Sequence, residues 1–171
     1  MTAQLSGDAN LGARSIAPVT MGVTAFVGRA LQGPVDAPVT ITSLAEFENV
    51  FGPATQPSAL GHLVRDFFTN GGSDAVVVRL FAPGDLGDPT GARLVAADIV
   101  GPGLRASGAG LYALDRAEQV NLLVIEPHTR DGRVDPAVVR AAADYCRDRR
   151  AVLLLEGPTG WQAAGVPLDA G

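Results

Sequence analysis

Lysine is absent from this chain, and all thirteen basic residues are arginine. Arginine suits bidentate carboxylate pairing at interfaces, but a GC-rich codon bias gives the same pattern and is the first reading here. Cysteine occurs once, at Cys146, which excludes an internal disulfide and a cysteine-based zinc cluster. That thiol lies in DYCRDRR, inside an expected helix, where it reads as a buried structural group and not a reactive one. Positive charge is in the minority: the formal net charge is −5, which argues against nucleic acid as a partner. No apolar run approaches the ~20 residues of a membrane span, so no direct membrane insertion is expected. The N-terminus also lacks the basic and apolar regions of a secretory signal. The expectation is a soluble protein made in the cytoplasm of its producer.

What is present suits a folded domain. Of 171 residues, 47% are apolar and 18% charged, which argues against disorder, and the length suffices to bury roughly 70% of the unfolded surface. Residues 1–20 are small and polar without a helical period, and read as an extended arm. In MGVTAFVGRA, Val23, Ala25 and Val27 alternate with Thr24, Phe26 and Gly28, a first strand. A turn-rich link through Gly33, Pro34 and Pro38 leads to a short extended piece, VTIT. Ser43 and Glu46 have capping-box spacing and open a short helix that Gly52-Pro53 stops after Phe51. Leu60, Leu63, Val64, Phe67 and Phe68 then fall on one helical stripe.

The stretch FFTNGGSDAVVVRLF, residues 67–81, resembles a phosphate-binding loop only at first sight. Such loops run from strand through glycines to a helix N-terminus, where free N–H groups face the anion. Here the glycines follow the helical stripe, as a left-handed cap does, and feed a β-branched strand, AVVVRLF. No GK[ST] accompanies them, so the reading is a cap.

Residues 82–110 are rich in Gly, Pro and Asp, with ARLVAADIV as an unassigned element. GLYALDRAEQ reads as a short helix and VNLLVIEP as a second buried strand. Asp135-Pro136 is an N-cap followed by proline at the first helical position. Val138, Val139, Ala142, Tyr145 and Cys146 form the inner face of the helix it opens, through Arg149, and AVLLLEGP reads as a third buried strand. Apolar strands alternating with amphipathic helices imply an α/β fold, with a largely parallel or mixed sheet flanked by helices and an extended N-terminal arm.

Candidate chemistry is thin. EPHTRDGRVD follows a strand end, where open α/β sheets place ligands, and its Glu126, His128, Asp131 and Asp135 raise the question of a metal. Asp135 already serves as a cap and His128 is the only nitrogen ligand nearby, so a solvated turn is the simpler reading. His62 sits beside an apolar stripe as a helical histidine, and Ser107 is a glycine-loop serine without a nucleophile elbow. Glu156 follows the third strand, where an enzyme could keep a carboxylate. A small α/β enzyme would place its site at Glu126, His128 and Glu156. No catalytic, cofactor-binding or metal-binding residue is assigned, no cofactor is expected, and the chain reads as a non-enzyme.

Several stretches taken in order resemble the sheath protein of contractile tails, the family shared by contractile phages, bacteriocins and related injection systems. They are TAFVGRALQGPVDAPVTITSLAEFENVFG at 24–52, LGHLVRDFFTNGGSDAVVVRL at 60–80, GLYALDRAEQVNLLVIEP at 110–127 and AAADYCRDRRAVLLLEGP at 141–158. The resemblance implies a structural subunit that stacks as hexameric rings in a helical array around an inner tube protein. Contraction of that array drives the tube through a target envelope, and baseplate and tail terminator proteins are the implied further partners. It implies a place in a phage tail or phage-tail-like particle, assembled in the producing bacterium. It also implies a core domain over 21–171, with the family's C-terminal domain expected to be absent, and a subunit-contacting arm at Arg14, Ile16 and Val19. Family members usually begin with a Pro-Gly-Val-Tyr-like strand, whereas this chain has LSGDANLGARSIAPVT. A baseplate or adaptor protein with a sheath-like fold is the alternative within the same resemblance.

Overall fold

A computed structural model of the chain describes residues 22–54, 59–81, 94–128 and 132–155. The elements run β1 (Thr24–Gly28), β2 (Pro38–Ile41), α1 (Leu44–Phe51), α2 (Ala59–Thr69), β3 (Ala75–Arg79), α3 (Ala96–Val100) and α4 (Leu104–Ser107). A 3-10 helix (Gly110–Arg116), β4 (Leu122–Ile125), α5 (Pro136–Arg149) and β5 (Val152–Leu154) follow. The strands form one mixed sheet ordered β2-β3-β1-β4-β5, parallel except for β2, which pairs antiparallel with β3 at the edge. The α/β class with helices flanking a mixed sheet is therefore observed. The arm residues Arg14, Ile16 and Val19 lie outside the described residues, as do Asp131 and Glu156.

The period-two alternation of a strand divides the core into two layers. Ala25, Val27, Val76, Val78, Leu123 and Ile125 face one side, where α3, the 3-10 helix and α5 bring Ile99, Leu111, Leu114, Val138, Ala142 and Cys146. Phe26, Ala75, Val77 and Ile41 face the other, against Phe47 and Phe51 of α1 and Leu60 and Val64 of α2. Strands β1 and β3 are buried at every position; β3 accordingly reads as an apolar run, while the alternation read in β1 separates Ala25 and Val27 from Phe26 between the two layers.

The helix ends follow local chemistry. Ser43 caps α1 by accepting from the Glu46 N–H at 3.2 Å, and Glu46 reaches back to the N–H of Thr42 at 2.6 Å, one residue short of the usual capping-box donor. Asp135 caps α5 through the Ala137 N–H at 2.7 Å, with Pro136 at the first helical position. At the end of α2, the Gly71 N–H donates to the Phe68 carbonyl and the Gly72 N–H to the Phe67 carbonyl. Gly71 has φ of +92°, so the pair is a Schellman cap, as the order of elements implied.

Two expectations need correction. β5 is not a buried strand but an exposed edge: Val152 is 57% exposed and Leu154 44%. β4 is buried on alternate residues only, with Leu122 and Val124 half-buried. Both follow from one cause. The helices α1 and α2 pack over the β1 side of the sheet, leaving a groove of about 930 Å3 lined by Phe26, Leu63, Phe67, Leu122, Val124 and Val152 among others. The short helix expected at GLYALDRAEQ is observed, as a 3-10 helix over Gly110–Arg116. The unassigned stretch before it holds α3 and α4, two short helices.

Cys146 is 3% exposed on the inner face of α5, and burial pushes its thiol above the usual value. Ellman's reagent should react with it on the order of 100-fold more slowly in the native protein than in denaturant, since attack needs an exposed thiolate. Equal rates in the two conditions would show an accessible thiol.

Candidate functional site

Glu126 and His128 follow β4 directly, at the carboxyl ends of the parallel strands where open α/β sheets place ligands. Both are buried, at 8% and 7% exposure. Two buried titratable groups at a strand end make this the natural place to look for chemistry.

The Glu126 side chain turns toward α2. Its carboxylate accepts from the backbone N–H of Arg29, just past β1, at 2.5 Å, and from the N–H groups of Ala59 and Leu60 that open α2. It thereby satisfies donors that the first turn of a helix leaves unpaired, and its charge opposes the positive end of the helix dipole. The carboxylate approaches β1 closely because residue 28 is glycine. A Cβ there would lie 2.3 Å from Glu126 Oε2 and 2.6 Å from its Cβ.

Burial is the strongest influence on this carboxyl and lifts its pKa above the ordinary 4.5, against the lowering effects of the Arg29 N–H and charge and the Ala59 and Leu60 N–H groups. A carboxyl with a raised folded-state pKa contributes stability that is complete below the unfolded value and is lost as pH rises through the folded one. The thermal midpoint of the wild type minus that of Glu126→Gln should therefore fall as pH rises from about 4.5 through the raised pKa, then level off. A difference that does not change over pH 4–8 would contradict this assignment.

His128 works differently. Its Nε2 accepts from the Asp135 N–H at 3.4 Å, which leaves the proton on Nδ1 to donate to the Glu126 carbonyl at 3.3 Å. Its own N–H donates to the Arg133 carbonyl at 2.9 Å. The ring ties the strand end to the N-cap of α5 and meets Glu126 through its main chain. No group of three or more metal-ligating side chains occurs among the described residues, and Asp135 is engaged as the α5 cap. His62 is half-buried on α2 and accepts from Arg65 at 2.8 Å. Ser107 is exposed, and its hydroxyl donates within α4 to the Gly103 and Leu104 carbonyls.

Two polar residues whose roles the sequence did not disclose organise the neighbouring loop. Arg79, 8% exposed at the end of β3, donates from Nε to the Ala30 carbonyl at 2.8 Å and from a terminal nitrogen to the Gly33 carbonyl at 3.2 Å. Asp36 adopts a left-handed backbone, φ of +51°, and its N–H donates to the Arg79 carbonyl at 2.9 Å. Its carboxylate accepts from the Gly110 N–H at 2.8 Å, while Arg116 donates to its carbonyl. Aspartate tolerates that backbone better than most residues, which was the only local signal. Across the sheet, Asp115 joins the 3-10 helix to α5, accepting from Tyr145 at 3.1 Å and Arg149 at 2.6 Å. Burial raises the Tyr145 pKa, partly opposed by the Arg149 charge.

No described helix is long and apolar enough to cross a membrane. No family model and no curated protein matches the chain. Among solved structures it is similar to a chain in the cryo-EM structure of the anti-feeding prophage (AFP) baseplate in the contracted state, with 23% sequence identity and a TM-score of 0.46. The match covers 89% of this chain but 37% of that one, so the chain spans well under half of that chain's length.

Proposed function

We propose that the chain is a structural subunit of a contractile tail or phage-tail-like injection system, belonging to the sheath and not to the chemistry of any reaction. The observation that carries this reading is the ordered set of motifs F-V-G, G-P-x-x-x-P-V, S-x-x-E-F-x-x-x-F-G and F-F-x-N-G-G-x-x-A-x-V-V-R. Its polar and glycine residues have scaffold tasks here. Gly28 admits Glu126, Ser43 caps α1, Gly72 lies under Phe67, and Arg79 holds the loop after β1. None of those tasks involves a reacting group.

In this reading the subunit stacks in hexameric rings around an inner tube protein, with baseplate and terminator proteins at the ends of the array. Identical subunits exchange one set of heterologous contacts for another of lower free energy, and the difference drives the tube forward. The exposed apolar edge at Val152, Leu154 and Leu155 supports an assembling chain, because contiguous apolar surface commonly marks an interaction face. No turnover is expected, because the Glu126 carboxylate already caps backbone donors.

The test is assembly. The open reading frame carrying this sequence is expressed with and without the tube protein and imaged by negative-stain electron microscopy. Cross-striated hollow tubes are expected. Single rings that do not stack would move the assignment to a baseplate or adaptor protein. Discrete small particles in the presence of the tube protein would overturn the assembly reading and reopen that of a small enzyme.

A further inference from the structure

Asn70-Gly71 is the one Asn-Gly pair in the chain; Asn10, Asn49 and Asn121 are followed by leucine, valine and leucine. The side-chain amide of an asparagine is open to attack by the main-chain nitrogen of the next residue. Glycine leaves that nitrogen unhindered, since it brings no Cβ and its backbone reaches conformations closed to other residues. Asn70 and Gly71 are both exposed at the end of α2, and open space surrounds the position a Gly71 side chain would take. Two hydrogen bonds hold the groups that would react. The Asn70 Nδ2 donates to the Asp66 carbonyl at 2.7 Å, and the Gly71 N–H donates to the Phe68 carbonyl at 3.2 Å. Both bonds belong to the last turn of α2, and helix ends open far more readily than the core does. The other described asparagines lack this combination. Asn49 lies within α1 ahead of Val50, and Asn121 accepts at its Oδ1 from the Val23 N–H at 2.9 Å ahead of Leu122.

We propose that Asn70 is a site of spontaneous deamidation, gated by opening of the last turn of α2, and that its products loosen the groove wall at Phe67. With the turn open, the Gly71 nitrogen gives up its proton and bonds to Asn70 Cγ. The Cγ–Nδ2 bond breaks, and the amide nitrogen leaves as ammonia with a proton from solvent. Water then opens the cyclic imide at either carbonyl, giving aspartate or isoaspartate. Water is the only co-reactant. Neither product restores the turn. Aspartate has no side-chain donor for the Asp66 carbonyl, and its charge stands at the negative end of a helix whose last turn holds no basic residue, with Asp66 one turn back. Isoaspartate carries the main chain through the former side chain, which lengthens it by one atom. The Gly71 and Gly72 N–H groups then no longer meet the Phe68 and Phe67 carbonyls. Phe67 lies over Gly72, packs edge-to-face on Phe26 and lines the groove, so the change at the cap reaches that wall.

The purified chain is incubated at mildly alkaline pH, in buffer and in denaturant, and sampled over days. Trypsin cuts after arginine and releases residues 66–79 as one peptide. Mass spectrometry follows the gain as –NH2 becomes –OH, against a zero-time digest. Conversion is expected at Asn70 ahead of every other asparagine, and roughly tenfold more slowly in the native protein than in denaturant. Gly71→Ala in denaturant should slow it severalfold, because a Cβ crowds the attacking nitrogen. Asn70→Asp, one product made directly, should lower the thermal midpoint by roughly 2–4 °C at neutral pH. The proposal is overturned if Asn70 stays intact in the native protein after the denatured chain has converted fully, or stays intact in both. Equal native and denatured rates would remove the gate, and an Asn70→Asp protein that melts with the wild type would remove the effect on the cap.

Discussion

Gly28→Ala should cost about 2–5 kcal/mol, a large part of the 5–15 kcal/mol that holds a typical domain together. Gly28 ends the central strand and is held on both sides. It pairs with Arg79 of β3, its carbonyl accepts from the Leu80 N–H at 2.7 Å, and the adjacent Val27 carbonyl accepts from the Glu126 N–H at 2.9 Å. The backbone therefore cannot retreat without breaking ladder bonds. A Cβ at 28 would lie 2.3 Å from Glu126 Oε2 and 2.6 Å from Glu126 Cβ, both inside contact distance. The carboxylate could swing away, but then the Arg29, Ala59 and Leu60 N–H groups lose their acceptor. The Cβ cannot swing at all, because the main chain fixes it. Denaturant titration of Gly28→Ala, Glu126→Gly and the double variant measures the conflict directly. The double variant should be more stable than the sum of the single losses allows, by about 1–2 kcal/mol, because each change relieves the other. A Gly28→Ala protein within about 0.5 kcal/mol of wild type would mean that the strand end has room, and the close approach would lose its energetic meaning.

How far such contacts could be foreseen depends on the distance over which they act. The Asp135-Pro136 cap, the Ser43 cap and the Gly71-Gly72 terminus lie within a few residues of the groups they serve, and each could be read from spacing. β1 and β3 were legible because both faces are covered, so apart from Arg79 at the end of β3 every residue is apolar or small. β5 misled for the complementary reason. VLL is as apolar as a buried strand, and nothing in three residues tells which face of a distant sheet is left uncovered by the described helices. Glu126 was noticed as a carboxylate at a strand end, yet its role stayed hidden because the Arg29 donor lies 97 residues away. Asp36 was missed, and Arg79 closed a motif without its role being legible, since their partners, at Gly110 and at Ala30, are distant residues that only the fold brings near.

The glycine pair in FFTNGG should separate into two different energetic roles when each is changed to alanine. Gly71 has φ of +92° and open space around the position of a side chain, so Gly71→Ala suffers only backbone strain, about 1–2 kcal/mol. At Gly72 the problem is steric. A Cβ there would meet the Phe67 ring at 2.3–2.5 Å. That ring packs edge-to-face on Phe26 with centroids 5.4 Å apart and on Phe68 at 5.1 Å. Gly72→Ala must therefore push Phe67 off Phe26, and an expected loss of about 2–3 kcal/mol follows from the strain and the broken aromatic pair. Repeating both changes in a Phe67→Leu background distinguishes the mechanisms. The smaller side chain should reduce the cost of Gly72→Ala by about 1 kcal/mol or more while leaving the cost of Gly71→Ala as it was. Equal costs in the two backgrounds at position 72 would mean that Phe67 moves freely. The glycine pair would then be a helix stop alone, and the aromatic half of the motif would need another explanation.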